Sequence, residues 1–252
     1  MNALLTVNQV SKTFGSLQAV NQVSLTVSPG EIIGLIGPNG SGKSTLLNLI
    51  AATLPADSGQ ILFAGHDISR ASPDQVFQLG LGRSFQDPSL FFKMTALDNA
   101  LLPVKEQRGE NPWLAPFHRF WRRQEASHAE AAGRLLAQLE LRPHYNRVAS
   151  DLSGGQMKLL ELGRSLMGVP QLLLLDEPTA GIAPKLAYAI FEQIEKLRQE
   201  RGLTFLIIEH RLEMLFDFVD SLYVLHLGQV IAQGSPAEIA ANGLVREIYF
   251  GA

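Results

Sequence analysis

The chain has 252 residues, 46% of them hydrophobic and 18% charged, with a formal net charge of −3; this is a globular mix, long enough for one large domain or two unequal lobes sharing a core. The slight acidic excess gives no electrostatic reason to expect nucleic acid as a partner, and the absence of cysteine excludes disulfides, thiolate metal sites and a cysteine nucleophile. The opening "MNALLTVNQV" is not patterned as a secretory signal and no run approaches the roughly 18 apolar residues that cross a bilayer, so any membrane role is expected to be peripheral.

In chain order, "LLTVNQV" and "VSLTV" read as the first strands, followed by "EIIGLIG". That third run leads into "GPNGSGKST", residues 37–45, which fits G-x-x-x-x-G-K-[ST], and then into a helical pattern, "STLLNLIAA". Strand, loop and helix in this order are what a phosphate-binding loop needs. Gly37, Gly40 and Gly42 let the backbone curl so that N–H groups along the loop, through Asn39, Ser41 and Thr45, point at phosphate oxygens, and the helix N-terminus adds a favourable dipole. Lys43 is placed to neutralise β/γ charge and the Ser44 hydroxyl to ligate Mg²⁺.

After a further strand pattern, "QILFAG", the segment from about 87 to 155 lacks a convincing strand and carries helical patterning, clearest in "SHAEAAGRLLAQLEL". It reads as a helical subdomain inserted into an α/β core. Within it Phe91, Phe92 and Met94 form a small apolar cluster, suited either to receive a partner helix or to pack inside the lobe. Residues 103–125 are irregular, with five basic and three acidic side chains and Phe117, Phe120 and Trp121 among Arg119, Arg122 and Arg123. Two readings stand: a membrane-surface contact, or a short aromatic helix docked on the protein itself, which is the expectation. "LSGGQ", residues 152–156, places a serine and two glycines at a helix start, a second anion-binding geometry in the same chain. One nucleotide has little use for two such termini from one chain, so the second makes sense if it closes over a nucleotide held by another copy.

The run "QLLLLD" ends in two carboxylates, Asp176 and Glu177. Beside a phosphate loop, Asp176 is the natural magnesium carboxylate and Glu177 the group that orients or deprotonates the attacking water. Residues 184–200 put Ala187, Ile190, Phe191, Ile194 and Leu197 on one helical face. "LTFLIIEH", "SLYVLH" and "QVIAQG" complete the strands. Several runs are continuously apolar, as expected of strands covered on both faces, and their alternation with helices argues for a parallel, doubly wound α/β core.

In this order, "GPNGSGKST", the glutamine of "GRSFQ", "LSGGQ", "LLLLDEP" and the histidine of "LIIEH" resemble the ATP-binding subunits of ABC transporters, over essentially the whole chain. The resemblance implies a P-loop NTPase (RecA-like) core with a mainly parallel sheet, an N-terminal antiparallel β subdomain and an inserted α-helical subdomain: residues 1–86 and 156–252 for the first two, and 87–155 for the third, with the signature motif at its end. It implies ATP and Mg²⁺, and two subunits packed head to tail, each ATP held between one subunit's phosphate loop and the other's LSGGQ. By motif, Phe14 stacks on adenine with Val20 nearby. Gln86 senses Mg²⁺ and the water, while Ser153, Gly154, Gly155 and Gln156 meet the partner's γ-phosphate. His210 bridges Glu177, the γ-phosphate and the opposite subunit.

"RSFQDPSLFFKMTALDNALL", the insert at 103–125 and the C-terminal third ending near "VREIYFG" are most similar to the importer ATPases for branched-chain and other neutral amino acids. Lipopolysaccharide-export ATPases share parts of this pattern, and soluble ABC ATPases acting on nucleic acid or ribosomes are a further alternative. The importer reading implies transmembrane permease subunits, an indirect link to an extracytoplasmic solute-binding protein, and a peripheral place on the cytoplasmic face of the plasma membrane. One departure stands out: Ala183 occupies a loop position where such subunits usually carry aspartate or asparagine.

Overall fold

In the computed structural model, which describes residues 3–84, 89–113 and 115–250, alternation along a few apolar strands sets the architecture. Strands β3 (Ile32–Ile36), β7 (Leu172–Asp176) and β8 (Thr204–Ile208) are buried at every position. Even-numbered and odd-numbered residues face opposite cores. Leu173, Leu175, Phe205 and Ile207 share one hydrophobic cluster, while Leu172, Leu174, Leu206 and Ile208 belong to the other. Each such side chain contributes about 1.5–3 kcal/mol by leaving water, and only a sheet covered on both faces can use all of them.

Together with β6 (Leu81–Arg83), β9 (Ser221–His226) and β10 (Gln229–Gly234), these strands form a six-stranded sheet in the order β10-β9-β3-β8-β7-β6. All its pairs are parallel except β9 with β10. A second, antiparallel sheet has β1 (Leu5–Phe14), β2 (Leu17–Val27), β4 (Ser58–Phe63) and β5 (His66–Asp67) in the order β2-β1-β4-β5. All eight runs read as strands are strands. The two not foreseen, β5 and β6, are too short to show a period.

Helix α1 (Lys43–Ile50) and α2 (Pro73–Gln78) follow β3 and β5, and α1 contributes Leu46, Leu47, Leu49 and Ile50 to the cluster shared with the antiparallel sheet. The other cluster is roofed by α3 (Ala96–Leu101), α4 (Arg122–Gln138), α5 (Gly154–Met167), α6 (Pro184–Arg201) and α7 (Leu212–Phe218). Short helices α8 (Pro236–Ala241) and α9 (Gly243–Phe250) end the chain. No helix among the described residues is long and apolar enough to cross a membrane.

Fully buried Asn99 on α3 explains the shape of the loop before it: its side chain accepts from Phe91 N–H at 2.8 Å and donates to the carbonyls of Phe91, Met94 and Thr95. The loop held this way presents Phe91 and Phe92 to solvent, about half exposed, with Met94 partly covered. Of the two readings of this cluster, the phenylalanines follow the outward one. Within 103–125 the chain makes two 3-10 turns, Arg108–Glu110 and His118–Phe120, before α4. Trp121 docks on the protein as expected, whereas Phe117 and Phe120 do not.

Candidate active site

The loop between β3 and α1 has no room for ordinary residues at two of its glycines. A Cβ on Gly37 would lie 2.1 Å from Leu225 O, and one on Gly42, whose φ is 102°, 2.2 Å from Ala19 O. The loop is wedged between β2 and β9. Lys43 is buried and folds back over it, its Nζ donating to the carbonyls of Gly37 at 2.8 Å and Pro38 at 3.0 Å. Burial holds its pKa below the usual lysine value, opposed by the nearby Glu177 and Asp176 carboxylates. Ser41 is buried, and its hydroxyl has no hydrogen-bond partner among the described residues.

A cavity of about 370 Å³ opens along this loop, lined at one end by Lys43, Ser44, Thr45, Glu177 and His210 and at the other by Phe14, Leu17, Gln18, Ala19 and Leu227; Asn39, Gly40 and Gly42 also line it. Phe14 is 48% exposed at the end of β1, so it is not a core residue. Val20 is. It is fully buried in the cluster beneath the antiparallel sheet, while Leu17, Gln18 and Ala19 just before it reach the cavity. Val20 does not itself line the cavity but directly follows Ala19, which does. Leu227, 75% exposed with φ 45° in the β9–β10 turn, adds an apolar wall that the sequence did not reveal. Its turn is tied to the loop through Gly228 N–H, which donates to Ser41 O at 3.0 Å.

Asp176 ends β7 directly beneath the loop. It is buried, and the Ser44 hydroxyl is close enough to its carboxylate to pull its pKa down. Oδ1 has no hydrogen-bond partner among the described residues, and Arg83 on β6 stands 3.8 Å from Oδ2. Burial raises the Asp176 pKa, against the pull of Arg83. One buried carboxylate with an open oxygen beside a hydroxyl is a donor set that suits a hard divalent cation completed by phosphate and water. Arg83 itself was read only as a neighbour of the glutamine motif; its Nη1 also donates to Asn48 Oδ1 at 2.6 Å, which ties β6 to α1.

Glu177 has a left-handed backbone, φ 50°, and its N–H donates to Ile208 O at 3.0 Å. This turn swings the side chain out of the sheet into the cavity, where Oε1 meets His210 Nε2 at 3.0 Å. His210 follows β8, and Glu209 before it anchors the pair. Buried Glu209 accepts from Thr179 N–H at 3.0 Å, from the Thr179 hydroxyl, and from His210 N–H at 3.0 Å. One carboxylate therefore joins the turn after Glu177 to the histidine that meets it. A further unanticipated neighbour comes from the chain end: the Tyr249 hydroxyl of α9 is near the backbone of Gly37, and burial raises its pKa.

The structure does not bring every expected residue to this cavity. Gln86 lies outside the described residues. Ser153, Gly154, Gly155 and Gln156 do not line it. They open α5 with a capping box, in which Ser153 Oγ accepts from Gln156 N–H and the Gln156 side chain accepts from Ser153 N–H. Ser153 and Gly154 are exposed, and buried Gly155 packs on α6 so closely that a Cβ would lie 1.9 Å from Leu186 Cδ2. Ala183 is the N-cap of α6 and makes no side-chain cap, with Pro184 at the first helical position. The carbonyl before it, Ile182 O, accepts from Arg211 Nη2 at 2.7 Å.

Comparison with known proteins places this geometry in context. The family model described as ABC transporter matches residues 20–180. The probable branched-chain amino acid transport ATP-binding protein LivG of Methanocaldococcus jannaschii is 42% identical, covering 98% of this chain and 97% of its own length. The high-affinity branched-chain amino acid transport ATP-binding protein LivG of Escherichia coli strain K12 is 36% identical, over 98% of both. Among solved structures, the ADP conformation of an ATP-binding cassette of an ABC transporter is 41% identical with a TM-score of 0.86 over both whole chains. A dimeric post-hydrolysis cassette bound to ADP and Pi is 25% identical with a TM-score of 0.76, covering 92% of this chain and 98% of the other.

Proposed function

We infer the function from this premise: the chain belongs to the ABC transporter family, as one of its ATP-hydrolysing subunits. Its cargo system is an importer of branched-chain or other neutral amino acids, a reading supported by its full-length relatives, whose names give branched-chain amino acid transport and not lipopolysaccharide export. The observation that carries the mechanism is the Glu177–His210 contact of 3.0 Å beside Lys43 and Ser44 in one cavity.

In that cavity, Phe14 stacks on the adenine while Leu17 and Leu227 flank it. The loop amides and Lys43 hold the phosphates. Ser44 and Asp176 would hold Mg²⁺, with Gln86 as a further contact, and the ion would offset phosphate charge. Glu177 accepts a proton from the attacking water. His210, with its proton on Nε2, donates to Glu177 and keeps the carboxylate aimed. Bond formation from water oxygen to the γ-phosphorus and departure of ADP give ADP and phosphate.

Because Ser153–Gln156 lie off the cavity, they serve a second ATP-binding subunit, either another copy or a related chain, packed head to tail. The exposed Phe91–Phe92 loop receives a permease subunit, and the chain sits peripherally on the cytoplasmic face of the membrane. A solute-binding protein engages the same permease from outside. The test is ATP hydrolysis and amino-acid uptake by the complex reconstituted with its permease: Glu177→Gln is expected to abolish both while ATP still binds. Wild-type hydrolysis no faster than that of the variant would sink the assignment.

A further inference from the structure

Residues 111–123, "NPWLAPFHRFWRR", contain three arginines and no acidic residue. The structure divides their aromatic side chains into two sets. Trp121 faces the protein: its indole N–H donates to Ala115 O at 3.1 Å, its ring lies 3.6 Å from where a Gly109 Cβ would be, and His118 meets it edge-on at 4.6 Å. Gln124 reinforces this from α4, accepting from Arg108 N–H at 2.9 Å and donating to Glu106 O at 3.0 Å. Lys105 fastens the base of the insert to the core, donating to Gln78 O at 3.2 Å with its ammonium 4.7 Å from the Phe77 ring centroid.

The scaffold built this way holds the other aromatics outward. Trp113 is 85% exposed, Phe117 57% and Phe120 50%. Phe117 and Phe120 meet edge-to-face at 6.1 Å, and the Arg119 guanidinium sits 5.2 Å from the Phe120 centroid. Arg122 and Arg123 are exposed beside them. These rings are presented to water together with three arginines that make no ion pair among the described residues. Aromatic rings settle at the headgroup level of a bilayer, and guanidinium groups pair with lipid phosphates. The charge selects an anionic surface, and the rings give it depth.

We propose that the face formed by Trp113, Phe117, Arg119, Phe120, Arg122 and Arg123 docks on an anionic lipid surface. It rests on the transporter reading only for placing the chain beside a membrane; lipid binding by the isolated chain is measurable without a permease, so the two can fail separately. The experiment is co-sedimentation of the purified full chain with vesicles of phosphatidylcholine alone or mixed with phosphatidylglycerol, at low and high salt. Binding is expected on the mixed vesicles only and is weakened by salt.

Arg119→Gln with Arg122→Gln and Arg123→Gln is expected to lower affinity about a hundredfold, from about fivefold per arginine. Trp113→Ser with Phe117→Ser and Phe120→Ser is expected to abolish binding, and both variants are to keep wild-type ATP binding as evidence of folding. A blue shift of emission on vesicle addition, absent in Trp113→Phe, would show that Trp113 enters the interface. No wild-type binding, equal binding to neutral vesicles, or unchanged binding by the arginine variant overturns the proposal. So does a requirement for these residues in assembling with the permease in detergent while vesicle binding is unaffected, which would make the face a protein contact.

Discussion

Removing the Glu209 carboxylate should unfasten the catalytic turn from the strand that carries its histidine. Glu209→Ala leaves Thr179 N–H, the Thr179 hydroxyl and His210 N–H without their acceptor. Thr179 is fully buried and Glu209 is 4% exposed, so water cannot easily take over. With about 1–3 kcal/mol for each buried donor stranded at Thr179, its hydroxyl free to rotate toward another acceptor, and the His210 N–H within reach of water, the expected loss is about 2–4 kcal/mol. That is a large share of the roughly 5–15 kcal/mol that holds a domain folded.

Glu209→Gln is milder and more informative. Its amide oxygen can still accept from Thr179, but its NH₂ then faces the His210 N–H, donor against donor, at about 1–2 kcal/mol. Urea unfolding gives the stability change. ATPase assays give the rest: kcat is expected to fall at least about tenfold in Glu209→Gln, with nucleotide affinity unchanged, because only the aim of His210 and Glu177 is disturbed. A Glu209→Ala protein within about 1 kcal/mol of wild type and hydrolysing normally would refute the reasoning.

Four other outcomes follow from the same geometry. Glu177→Gln should slow hydrolysis by about 10²–10⁴-fold, the range of a lost general base, while an equilibrium binding assay finds ATP affinity retained. Phe14→Ala should leave the unfolding midpoint unchanged, since the ring is half exposed, yet weaken nucleotide binding by about 1–3 kcal/mol of stacking, measured by calorimetry. Gly155→Ala puts a methyl 1.9 Å from Leu186 Cδ2 and should cost about 1–3 kcal/mol in urea unfolding, with Leu186→Ala in the same chain recovering part of it. Ala183→Asp supplies the missing N-cap of α6 and should stabilise by about 0.5–2 kcal/mol; an unchanged midpoint would show that the cap cannot form, and unchanged cooperativity of hydrolysis would show that the departure has little functional weight.

The strands and the phosphate loop were legible because their signals are local. Four consecutive leucines before Asp176 announce a buried strand, and the glycine spacing of residues 37–42 announces a curled loop. What escaped depended on chain segments far apart. Glu209, the glutamate before the histidine, fits the importer resemblance by identity alone; what it holds appears only when the end of β8 brings it against Thr179, thirty residues earlier in the chain. Neither Leu227 nor Tyr249 carries a local signal, yet one walls the cavity and the other lies near the backbone of Gly37. Val20, carried over by resemblance, is buried one residue past those that line the cavity. The exposed rings of the insert were unreadable for a third reason. Trp121, Phe117 and Phe120 are equally apolar in sequence, and only the hydrogen bond to Ala115 decides which of them turns inward.

The junction of α5 and α6 carries a mechanical consequence. A Cβ on Gly155 would lie 1.9 Å from Leu186 Cδ2 and one on Gly154 4.0 Å from Ile182, so the start of the signature helix packs close to α6 and to the end of the turn that begins at Glu177. In the head-to-tail pairing proposed above, each chain spans two nucleotides, serving one with Glu177 and the other with Ser153. The contact at Gly155 then acts as a gauge for the distance between the two sites. Where the partner is a second copy, a side chain added there would press on that gauge in both chains at once, and the two sites would be displaced together.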